Sequence, residues 1–390
     1  GMEHFEPRLP CDPTQVGRFR SAIGEAGVEE LLKATVDCAV SNQVVAPSEF
    51  SRVIVDTTVQ EKAIAHPTDS RLLEIARYQV VKAAKAVGIR LKQTFAAEGK
   101  TLRRKAGGYA HAKQFKRLRR VIKRQRTVLG KVLREIRSKL PTSAPETLAL
   151  ARLEVLLERA ERIRAQQPKD KRKLYALHAP EVECIGKGKA RKPYEFGVKA
   201  SVAVTHRQGL IVGARTFPGN PYDGHVLNAQ LEQTAILLED VGVKPRQVVV
   251  DLGYRGVDAD NPGVEILHRG RWKSMTREQR RWVQRRQAIE PIIGHLKADH
   301  RMDRCWLRGA TGDALHAVLC AAGYNLRWLL RAIARLGITA AFLRLSRWWR
   351  QGANSVSAAL MHVLTGGREI VGDQFAGWWQ RSAATPVGAG

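Results

Sequence analysis

Two short runs of β-branched residues along the chain each lead into an aspartate. The stretch RVIVDTTVQ carries an apolar run at residues 53–55 before Asp56, and QVVVDLGYRGVD carries one at residues 248–250 before Asp251. An unalternated run of this kind predicts a strand buried on both faces. Ligands of open α/β sheets gather at the carboxyl ends of such strands. Both aspartates are therefore predicted where a site would form, although an aspartate at a strand end also commonly caps a turn.

Helical periodicity fills residues 70–167, between these two strands. The stretch AHPTDSRLLE predicts the start of a first helix, and Pro141 and Pro145 predict a turn before a third helix at about residues 146–167. The apolar positions of the second helix alternate by threes and fours, which is typical of a coiled-coil-like seam. The seam consists of Phe115, Leu118, Ile122, Gln125, Leu129, Val132, Ile136 and Leu140. It is a candidate contact surface for a second copy of the chain.

Strand and helix patterns alternate after the helical region. YEFGVKASVAV and LIVGARTF predict a hairpin around the turn THRQG, a helix is predicted at residues 226–240, and GVEILHR predicts a short strand. Thr276 and Gln279 form a capping-box pattern for a last helix at about residues 277–298. Pro291 is expected to bend this helix.

This order of elements predicts an α/β fold. We expect a mixed sheet with a long helical insertion after its first strand, and helical N- and C-terminal regions. Residues 13–45 predict two short helices, with Gly24 and Gly27 between them. The predicted division is a short helical N-terminal region at 1–50, a catalytic sheet domain at 51–69 and 176–330, the basic helical insertion at 70–175, and C-terminal helices and a tail at 331–390.

Positive charge dominates the composition. Lys and Arg number 66 against 37 Asp and Glu, so the net charge is +29. Such a surplus predicts a polyanionic partner, most simply nucleic acid. A generally basic protein, or one that binds an anionic membrane, is the alternative interpretation.

The charge is concentrated on the second insertion helix. Fifteen Lys or Arg lie between Arg103 and Lys139, where Glu135 is the single acidic residue. Like charges one turn apart destabilise a helix, so a phosphate backbone is the expected counter-charge, with a solvated face as the alternative. The DNA-binding residues predicted on this helix are Lys116, Arg117, Arg119, Arg120, Lys123 and Arg124.

The cysteines and the apolar segments indicate in which cellular compartment the protein is expected. The five cysteines are scattered and form no CxxC pair, which argues against a zinc ribbon and against a disulfide framework. The most apolar stretch, residues 314–330, contains His316, Asn325 and Arg327, so it predicts a core helix rather than a membrane span. The sequence also lacks a signal-peptide pattern. We therefore expect a cytoplasmic protein that associates with the bacterial nucleoid and not with a membrane.

Glu290 on the last predicted helix adds a third carboxylate. It shares a helix face with Val283 and Arg286, and this face should pack on the sheet and leave Glu290 partly buried. A local ion pair is the simpler interpretation of a glutamate between cations. If Glu290 lies close to Asp56 and Asp251, the three negative carboxylates repel one another. Two Mg²⁺ ions roughly 4 Å apart, or Mn²⁺ in their place, would neutralise the group and attract phosphate.

Five blocks of sequence together resemble a known family. They are VDTTVQEKAIAHPTDSRLL, KPYEFGVKASVAVT, FPGNPYDGH, VVVDLGYRG and EPIIGHLKADHRMDRCWLRG, and they span about residues 50–330. They resemble the DDE transposases of bacterial insertion sequences, and within these the insertion-sequence-five group of the insertion-sequence-four-like class. The resemblance implies a ribonuclease H-like catalytic domain.

The same resemblance assigns roles to five residues. It implies that Asp56, Asp251 and Glu290 are the catalytic, metal-binding triad. It also implies that Arg286 and Lys297 contact phosphate, as members of a signature with the spacing Tyr-x2-Arg-x3-Glu-x6-Lys.

The chain departs from the family pattern in two places. Val283 occupies the tyrosine position of the signature, so that DNA contact is lost or is made by another residue such as Trp282. Relatives also carry a longer helical N-terminal region before the first aspartate. We therefore expect a shortened N-terminal region, with recognition of transposon ends passing to the insertion.

Four further residues are candidates for contact with DNA. Tyr254 and Arg255 follow Asp251 directly and so lie near the expected path of the phosphates, although Tyr254 also fits a residue packed against the sheet. Trp306 and Arg308 follow the last helix and are expected to stack on or clamp a base. A hydrophobic anchor for the following turn is the alternative role of Trp306.

The function implied by the resemblance is DNA transposition. The expected enzyme binds terminal inverted repeats in double-stranded DNA, cleaves the strand to free a 3′-hydroxyl, and joins that hydroxyl to target DNA. Because two ends must be paired, a homodimer on DNA is expected. The alternatives are an inactive DNA-binding remnant of a transposase and a structure-selective nuclease of the same fold.

Overall fold

A computed structural model of the protein describes residues 11–141, 147–186 and 192–336. The predicted tail from residue 352 onward lies outside these ranges. The helices are α1 (Pro13–Ser41), α2 (Asp69–Ala86), α3 (Ala96–His111), α4 (Phe115–Arg137), α5 (Leu148–Ala165), α6 (Leu227–Leu237), α7 (Arg277–Arg285), α8 (Ile289–Ala298) and α9 (Gly309–Leu336). The strands are β1 (Arg52–Glu61), β2 (Glu183–Gly186), β3 (Tyr194–Thr205), β4 (Ile211–Phe217), β5 (Gln247–Val249) and β6 (Glu265–Leu267).

The six strands of the described residues form one mixed sheet with β1 near its middle. On one side, β1 pairs with β3 in antiparallel register, from Val53 opposite Thr205 to Glu61 opposite Gly197. On the other side, β1 pairs in parallel with β5, which pairs in parallel with β6. Strands β2 and β4 share the far edge of β3, one after the other. The predicted mixed α/β fold, with its hairpin and the helical insertion after β1, is confirmed.

Alternation along β1 places its side chains in two separate cores. Ile54 packs with Ile289 and Leu296 of α8 on one face of the sheet. Val53 and Val55 pack with the α6 residues on the other face. Because successive side chains of a strand point to opposite faces, Asp56 follows Ile54 onto the α8 face.

The insertion between β1 and β2 has a hydrophobic core of its own. Of the predicted seam on α4, Leu129, Val132 and Ile136 are buried against apolar side chains of α2 and α5 in the same chain. Gln125 is also buried and donates a hydrogen bond to the Ser70 carbonyl of α2. From Gln125 to Ile136 the seam therefore lies inside the insertion, whereas Phe115 at its start is 57% exposed, and contact of the seam with a second copy stays a prediction.

The described residues of the insertion form four helices where the sequence pattern indicated three. The additional helix is α3, which approaches α2 closely at Gly99. Beneath this glycine, Glu74 and Arg77 form a buried ion pair with 2.6 Å between Oε1 and Nη2. A Cβ at Gly99 would collide with both side chains, whereas a Cβ at Gly107 of the same helix meets nothing within 4 Å.

These two glycines of α3 make a matched pair of substitutions. Gly99→Ala should lower the free energy of unfolding by about 1–3 kcal/mol, because the buried ion pair beneath it must move. Gly107→Ala should raise it by up to about 1 kcal/mol, because alanine is the better helix former. Urea unfolding followed by circular dichroism measures both. Equal effects of the two substitutions would contradict the close approach of α3 to α2.

Helices α1 and α9 pack together on the sheet. Helix α1 is kinked at Gly24, where φ is +62°, so the two helical segments predicted there are continuous apart from this kink. Asn325 of α9 is fully buried, and its amide exchanges hydrogen bonds of 2.8 and 2.9 Å with the backbone of Ile211. The predicted core helix around residues 314–330 is thereby confirmed. In the described ranges, no helix combines the length and apolar character needed to cross a membrane.

The last predicted helix is divided into two. Thr276 and Gln279 form the predicted capping box at the start of α7, but α7 ends at Arg285 and α8 begins at Ile289. A 3-10 turn joins them. Pro291 has no N–H to donate to the carbonyl of Gln287 and its ring crowds that carbonyl, which accounts for a break before the proline.

Candidate active site

Asp56 and Asp251 lie at the carboxyl end of the parallel pair formed by β1 and β5. The last positions paired between the two strands are Ile54 and Val249, and Asp56 and Asp251 each follow by two residues. The prediction that Asp56 ends its strand is wrong, because β3 continues to pair with β1 as far as Glu61. The prediction that both carboxylates lie at this edge is confirmed.

Asp251 also caps a turn, as the simpler interpretation of its position expected. Its Oδ1 accepts a hydrogen bond of 2.8 Å from the Gly253 amide, at the start of a 3-10 turn. The cap fixes one carboxylate oxygen and the direction in which the chain leaves β5. Capping a turn and contributing to a site are compatible roles for this side chain.

Arg286 links Asp56 to Glu290. Its guanidinium lies 3.1 Å from Asp56 Oδ2 and 3.5 Å from Glu290 Oε1. The arginine therefore stands between a strand carboxylate and a helix carboxylate and offsets their repulsion. Asp56 and Glu290 are brought to the same side of the sheet by this bridge.

Glu290 is exposed, and the expectation of partial burial is wrong. Its side chain is 63% exposed, and the buried residues of α8 are instead Ile289, Ile292 and Leu296. The 3-10 turn before α8 advances by about 120° per residue instead of about 100°, so three such residues rotate the following face by about 60°. This rotation moves the apolar positions onto the sheet and turns Glu290 outward.

Asp223 is a fourth carboxylate of the site, and the sequence analysis missed it. Its Oδ1 accepts hydrogen bonds from Thr57 Oγ1 at 2.9 Å and from Lys199 Nζ at 2.7 Å. Gly253 lies directly between Asp223 and Asp251, because a Cβ built there would be 3.2 Å from Asp223 Oδ2 and 3.0 Å from Asp251 Oδ1. The motif FPGNPYDGH contains this aspartate and was its only signal in the sequence.

Tyr254 lies beneath the carboxylates and faces away from solvent. The residue is 1% exposed, and burial raises the pKa of its phenol well above the ordinary value. The negative charges of Asp56, Asp223 and Asp251 raise this pKa further, so all three act on one buried group. The prediction that Tyr254 contacts DNA is therefore wrong, and its alternative role in packing is confirmed. Arg255, the next residue, is exposed.

Lys297 is paired within the protein. Its Nζ lies 3.2 Å from Oε2 of Glu195 on β3, whose side chain is 5% exposed. The lysine fixes the end of α8 to the sheet in this arrangement. A contact between Lys297 and phosphate stays a prediction, and it requires the lysine to leave Glu195.

Val283 does not provide the contact of the missing tyrosine, and a DNA contact of Trp282 stays a prediction. Val283 is buried in the core on the α8 face. Trp282 stacks on the Arg52 guanidinium, whose carbon lies 3.2 Å from the ring centre. Arg52 and Asp56 are separated by four strand residues, or about 13 Å, so Trp282 lies at the other end of β1 from the carboxylates.

Trp306 and Arg308 are exposed beyond the carboxyl end of β1. The side chain of Trp306 is 69% exposed, and the Arg304 guanidinium lies 5.0 Å from its ring centre. The turn is anchored instead by Cys305, which is buried and pairs with Lys62 as a short extension of the sheet. The alternative role of Trp306 as an anchor is wrong, and base stacking by Trp306 or Arg308 stays a prediction.

The six basic residues predicted on α4 are all exposed. Arg124 forms a two-point ion pair with Glu98 of α3, at 2.6 and 3.1 Å. Arg117 donates a hydrogen bond to Gln114, and Arg119 to the carbonyl of Phe115. Among the residues that the structure describes, Arg124 is thus the one of the six with an acidic partner, and no side-chain hydrogen bond is formed by Lys116, Arg120 or Lys123.

Part of the chain is similar to a known protein family. Residues 160–326 match the family described as the transposase DDE domain. The matched range contains Asp251 and Glu290, begins after Asp56, and covers less than half of the chain. It supports a DDE transposase domain in this part of the chain.

One curated relative is also similar. "Uncharacterized protein ORF8 in nfe locus" of Rhizobium meliloti is 46% identical over 115 residues, which are 30% of this chain and 56% of that protein. The chain thus spans little more than half the length of this relative. No solved structure matches the chain.

Transposase DDE domains generally use divalent metal ions, and the acidic side chains of the site suit such ions. Carboxylate oxygens are the ligands that hard divalent cations prefer. Within residues 11–141, 147–186 and 192–336, however, no three His, Cys, Asp or Glu side chains are close enough together to hold an ion. Arg286 and Lys199 occupy positions between or beside the carboxylates instead.

Proposed function

We propose that this protein is a DNA transposase whose catalytic triad is Asp56, Asp251 and Glu290. The observation that carries the proposal is the meeting of Asp56 and Asp251 at one end of the β1–β5 pair, with Glu290 linked to Asp56 through Arg286. The transposase DDE domain match supports it. We include in the proposal a ribonuclease H-like fold and membership of the insertion-sequence-five group, which the mixed sheet and the sequence blocks support.

The chemistry assigned to the site is two phosphoryl transfers on DNA. Divalent ions bound by Asp56, Asp251 and Glu290, with Mg²⁺ expected and Mn²⁺ able to replace it, would activate a water or a 3′-hydroxyl and stabilise the leaving oxygen. The turn cap on Asp251 orients its carboxylate, since one oxygen is already held by the Gly253 amide. Arg286 is positioned to shift from the carboxylates to a DNA phosphate, for which guanidinium geometry is well suited.

The basic face of α4 is proposed to hold the DNA. It provides exposed cations that lack acidic partners within the described residues, and phosphate contacts of such groups provide most of the affinity for a duplex. Pairing of two transposon ends requires two catalytic domains, so we propose a homodimer on DNA. The protein would act at the nucleoid.

The test of the function is a joining assay with a labelled duplex that ends in the element's own terminal repeat, together with supercoiled plasmid. Wild-type protein is incubated with Mg²⁺, with Mn²⁺ or with a chelator, and Asp251→Ala is assayed alongside. Metal-dependent joined product that disappears in Asp251→Ala supports the transposase. Cleavage without joining indicates a nuclease. If neither protein cuts or joins while both bind DNA, the catalytic proposal fails.

Removing cations from the basic face should weaken DNA binding in a salt-dependent way. Each lost phosphate contact lowers the slope of log affinity against log salt by about 0.9, so Lys116→Ala/Arg120→Ala should lower it by about 1.8. Fluorescence anisotropy on a labelled duplex without divalent metal measures this slope. The control is Lys85→Ala/Arg331→Ala, which removes the same two charges from exposed positions on α2 and α9. Equal slopes for the two variants would contradict a DNA-binding role of the α4 face.

A further inference from the structure

A cleft rich in arginine lies at the end of β1 opposite to the candidate active site. It is bounded by the start of β1, the turn between β3 and β4, and helix α7. The side chains that form it are Arg52, His206, Arg207, Arg281, Trp282 and Arg285, with Glu278 as the acidic side chain in its lining. The residues proposed for catalysis take no part in it.

The arginine side chains of the cleft are held in place by hydrogen bonds to uncharged groups and by stacking on a ring. Arg285 donates hydrogen bonds of 2.9 Å to the His206 carbonyl and 2.7 Å to the Arg207 carbonyl. Arg52 stacks on Trp282 and donates a hydrogen bond to Gln247. Both arginines are therefore oriented by hydrogen bonds to carbonyl or amide oxygens before any ligand arrives, and the acidic groups that act on Arg52 are the nearby Glu278, Glu49 and Glu265.

The charge balance of the cleft favours an anion. Arg281 is exposed and makes no ion pair or hydrogen bond within the described residues. Arg207 is paired with Glu49 at 3.0 Å, although its side chain is 70% exposed. Burial, followed by the charges of nearby arginines, lowers the pKa of His206 below its ordinary value, so the histidine is neutral near pH 7. The positive charge therefore comes from arginines, which bind phosphate oxygens in pairs.

Helix α7 connects this cleft to the candidate active site. Arg281 and Arg285 are one turn apart and share the face that borders the cleft. Arg286 is the next residue, and its guanidinium reaches Asp56. A backbone phosphate at the cleft and a phosphate at Asp56 would be separated by about 13 Å, the length of four strand residues.

We infer that the arginine cleft binds a backbone phosphate of duplex DNA, beside the phosphate that reaches the carboxylates. This inference rests on the proposed function for the identity of the polyanion. The cleft would hold the DNA strand against α7 and so fix its position along β1. It is separate from the basic face of α4, which belongs to the insertion.

The test compares Arg281 with an arginine outside the cleft. Arg281→Ala and Arg281→Glu are exposed substitutions with no partner to lose, and Arg331→Ala and Arg331→Glu on α9 are the matched controls. Binding to a labelled duplex is measured by anisotropy over a range of salt concentrations, without divalent metal. Arg281→Ala should lower the slope of log affinity against log salt by about 0.9, and Arg281→Glu should weaken binding further at each salt concentration. Thermal unfolding of each variant should match that of the wild type.

The outcomes separate this inference from the proposed function. If Arg281 and Arg331 variants bind with equal affinity and equal slope, the cleft does not contact DNA and the inference is overturned. The inference is also overturned if the Arg281 variants bind inorganic polyphosphate more weakly than the wild type but bind the duplex equally well. The binding assay contains no divalent metal, so a protein that fails to cut or join DNA can still show weaker DNA binding in the Arg281 variants. In that case the inference about the cleft is supported and the catalytic proposal is contradicted.

Discussion

Asp56→Asn should lower the rate of DNA cleavage and joining by a factor of about 10³ or more. The substitution keeps the size of the side chain and removes one carboxylate from the site that we propose to hold divalent ions. Such ions contribute several kcal/mol of transition-state stabilisation, and each 1.4 kcal/mol corresponds to about a factor of ten in rate. Single-turnover rates with Mg²⁺ and with Mn²⁺, on a duplex that ends in the terminal repeat, measure the loss.

The arrangement around Arg286 adds a second readout to this variant. With residue 56 neutral, Arg286 loses the negative charge at 3.1 Å, and its remaining carboxylate partner within the described residues is the exposed Glu290 at 3.5 Å, so it becomes more available to phosphate. Affinity for duplex DNA without metal should therefore be unchanged or higher in Asp56→Asn, although catalysis is lost. Glu232→Gln is the control, because it also removes a carboxylate paired with an arginine, at 3.6 Å from Arg215 on an exposed surface. Full activity of Asp56→Asn would exclude Asp56 from the triad.

The apolar runs before Asp56 and Asp251 carried most of what the sequence could predict about the site. Parallel strands end at the same edge of a sheet, so two aspartates after two buried runs are expected to be neighbours. Asp223 was not predicted as a site residue, because its hydrogen-bond partners are distant along the chain. Thr57 is 166 residues away and Lys199 is 24 residues away, and no local pattern encodes these contacts.

Periodicity predicted the faces of helices better than it predicted their partners. The seam of α4 is apolar at the expected positions, but a repeat of threes and fours is the same whether the partner is another chain or a neighbouring helix. Here α2 and α5 supply that partner. Glu290 illustrates the other limit, since three residues of 3-10 geometry before α8 were enough to turn a predicted inner position toward solvent.

A buried ion network fixes the carboxyl end of β1, the strand that carries Asp56. Lys62 follows the strand directly, and its side chain is 5% exposed. Its Nζ lies 2.7 Å from Asp313 Oδ1 on α9 and 2.8 Å from Glu181 Oε1, just before β2. The Glu181 carboxylate also accepts a hydrogen bond from the Gly309 amide at the start of α9. The Lys62 ammonium group therefore links the end of β1 to the start of α9 and to the segment before β2.

Lys62→Met should lower the free energy of unfolding by about 3–5 kcal/mol, because it leaves buried carboxylates without their cation. Urea unfolding of the full chain measures this loss. Lys82→Met, at an exposed position of α2, is the control and should change stability by less than about 0.5 kcal/mol. Lys62→Met/Asp313→Leu should recover part of the loss, since the most deeply buried carboxylate is then absent.

The loss in Lys62→Met should also depend on pH in a definite direction. Burial raises the pKa of Asp313 above its ordinary value even with Lys62 beside it, and removing the lysine takes away the main influence that lowers it. An acid with a raised pKa in the folded state binds its proton more tightly there than in the unfolded chain. Its favourable contribution is thus present at low pH and is lost as the pH rises through the folded-state pKa. The stability deficit of Lys62→Met should therefore shrink on acidification and be largest near neutral pH. A deficit that stays constant with pH, or that Asp313→Leu does not reduce, would show that the end of β1 is held by packing around Cys305 instead of by the ion network.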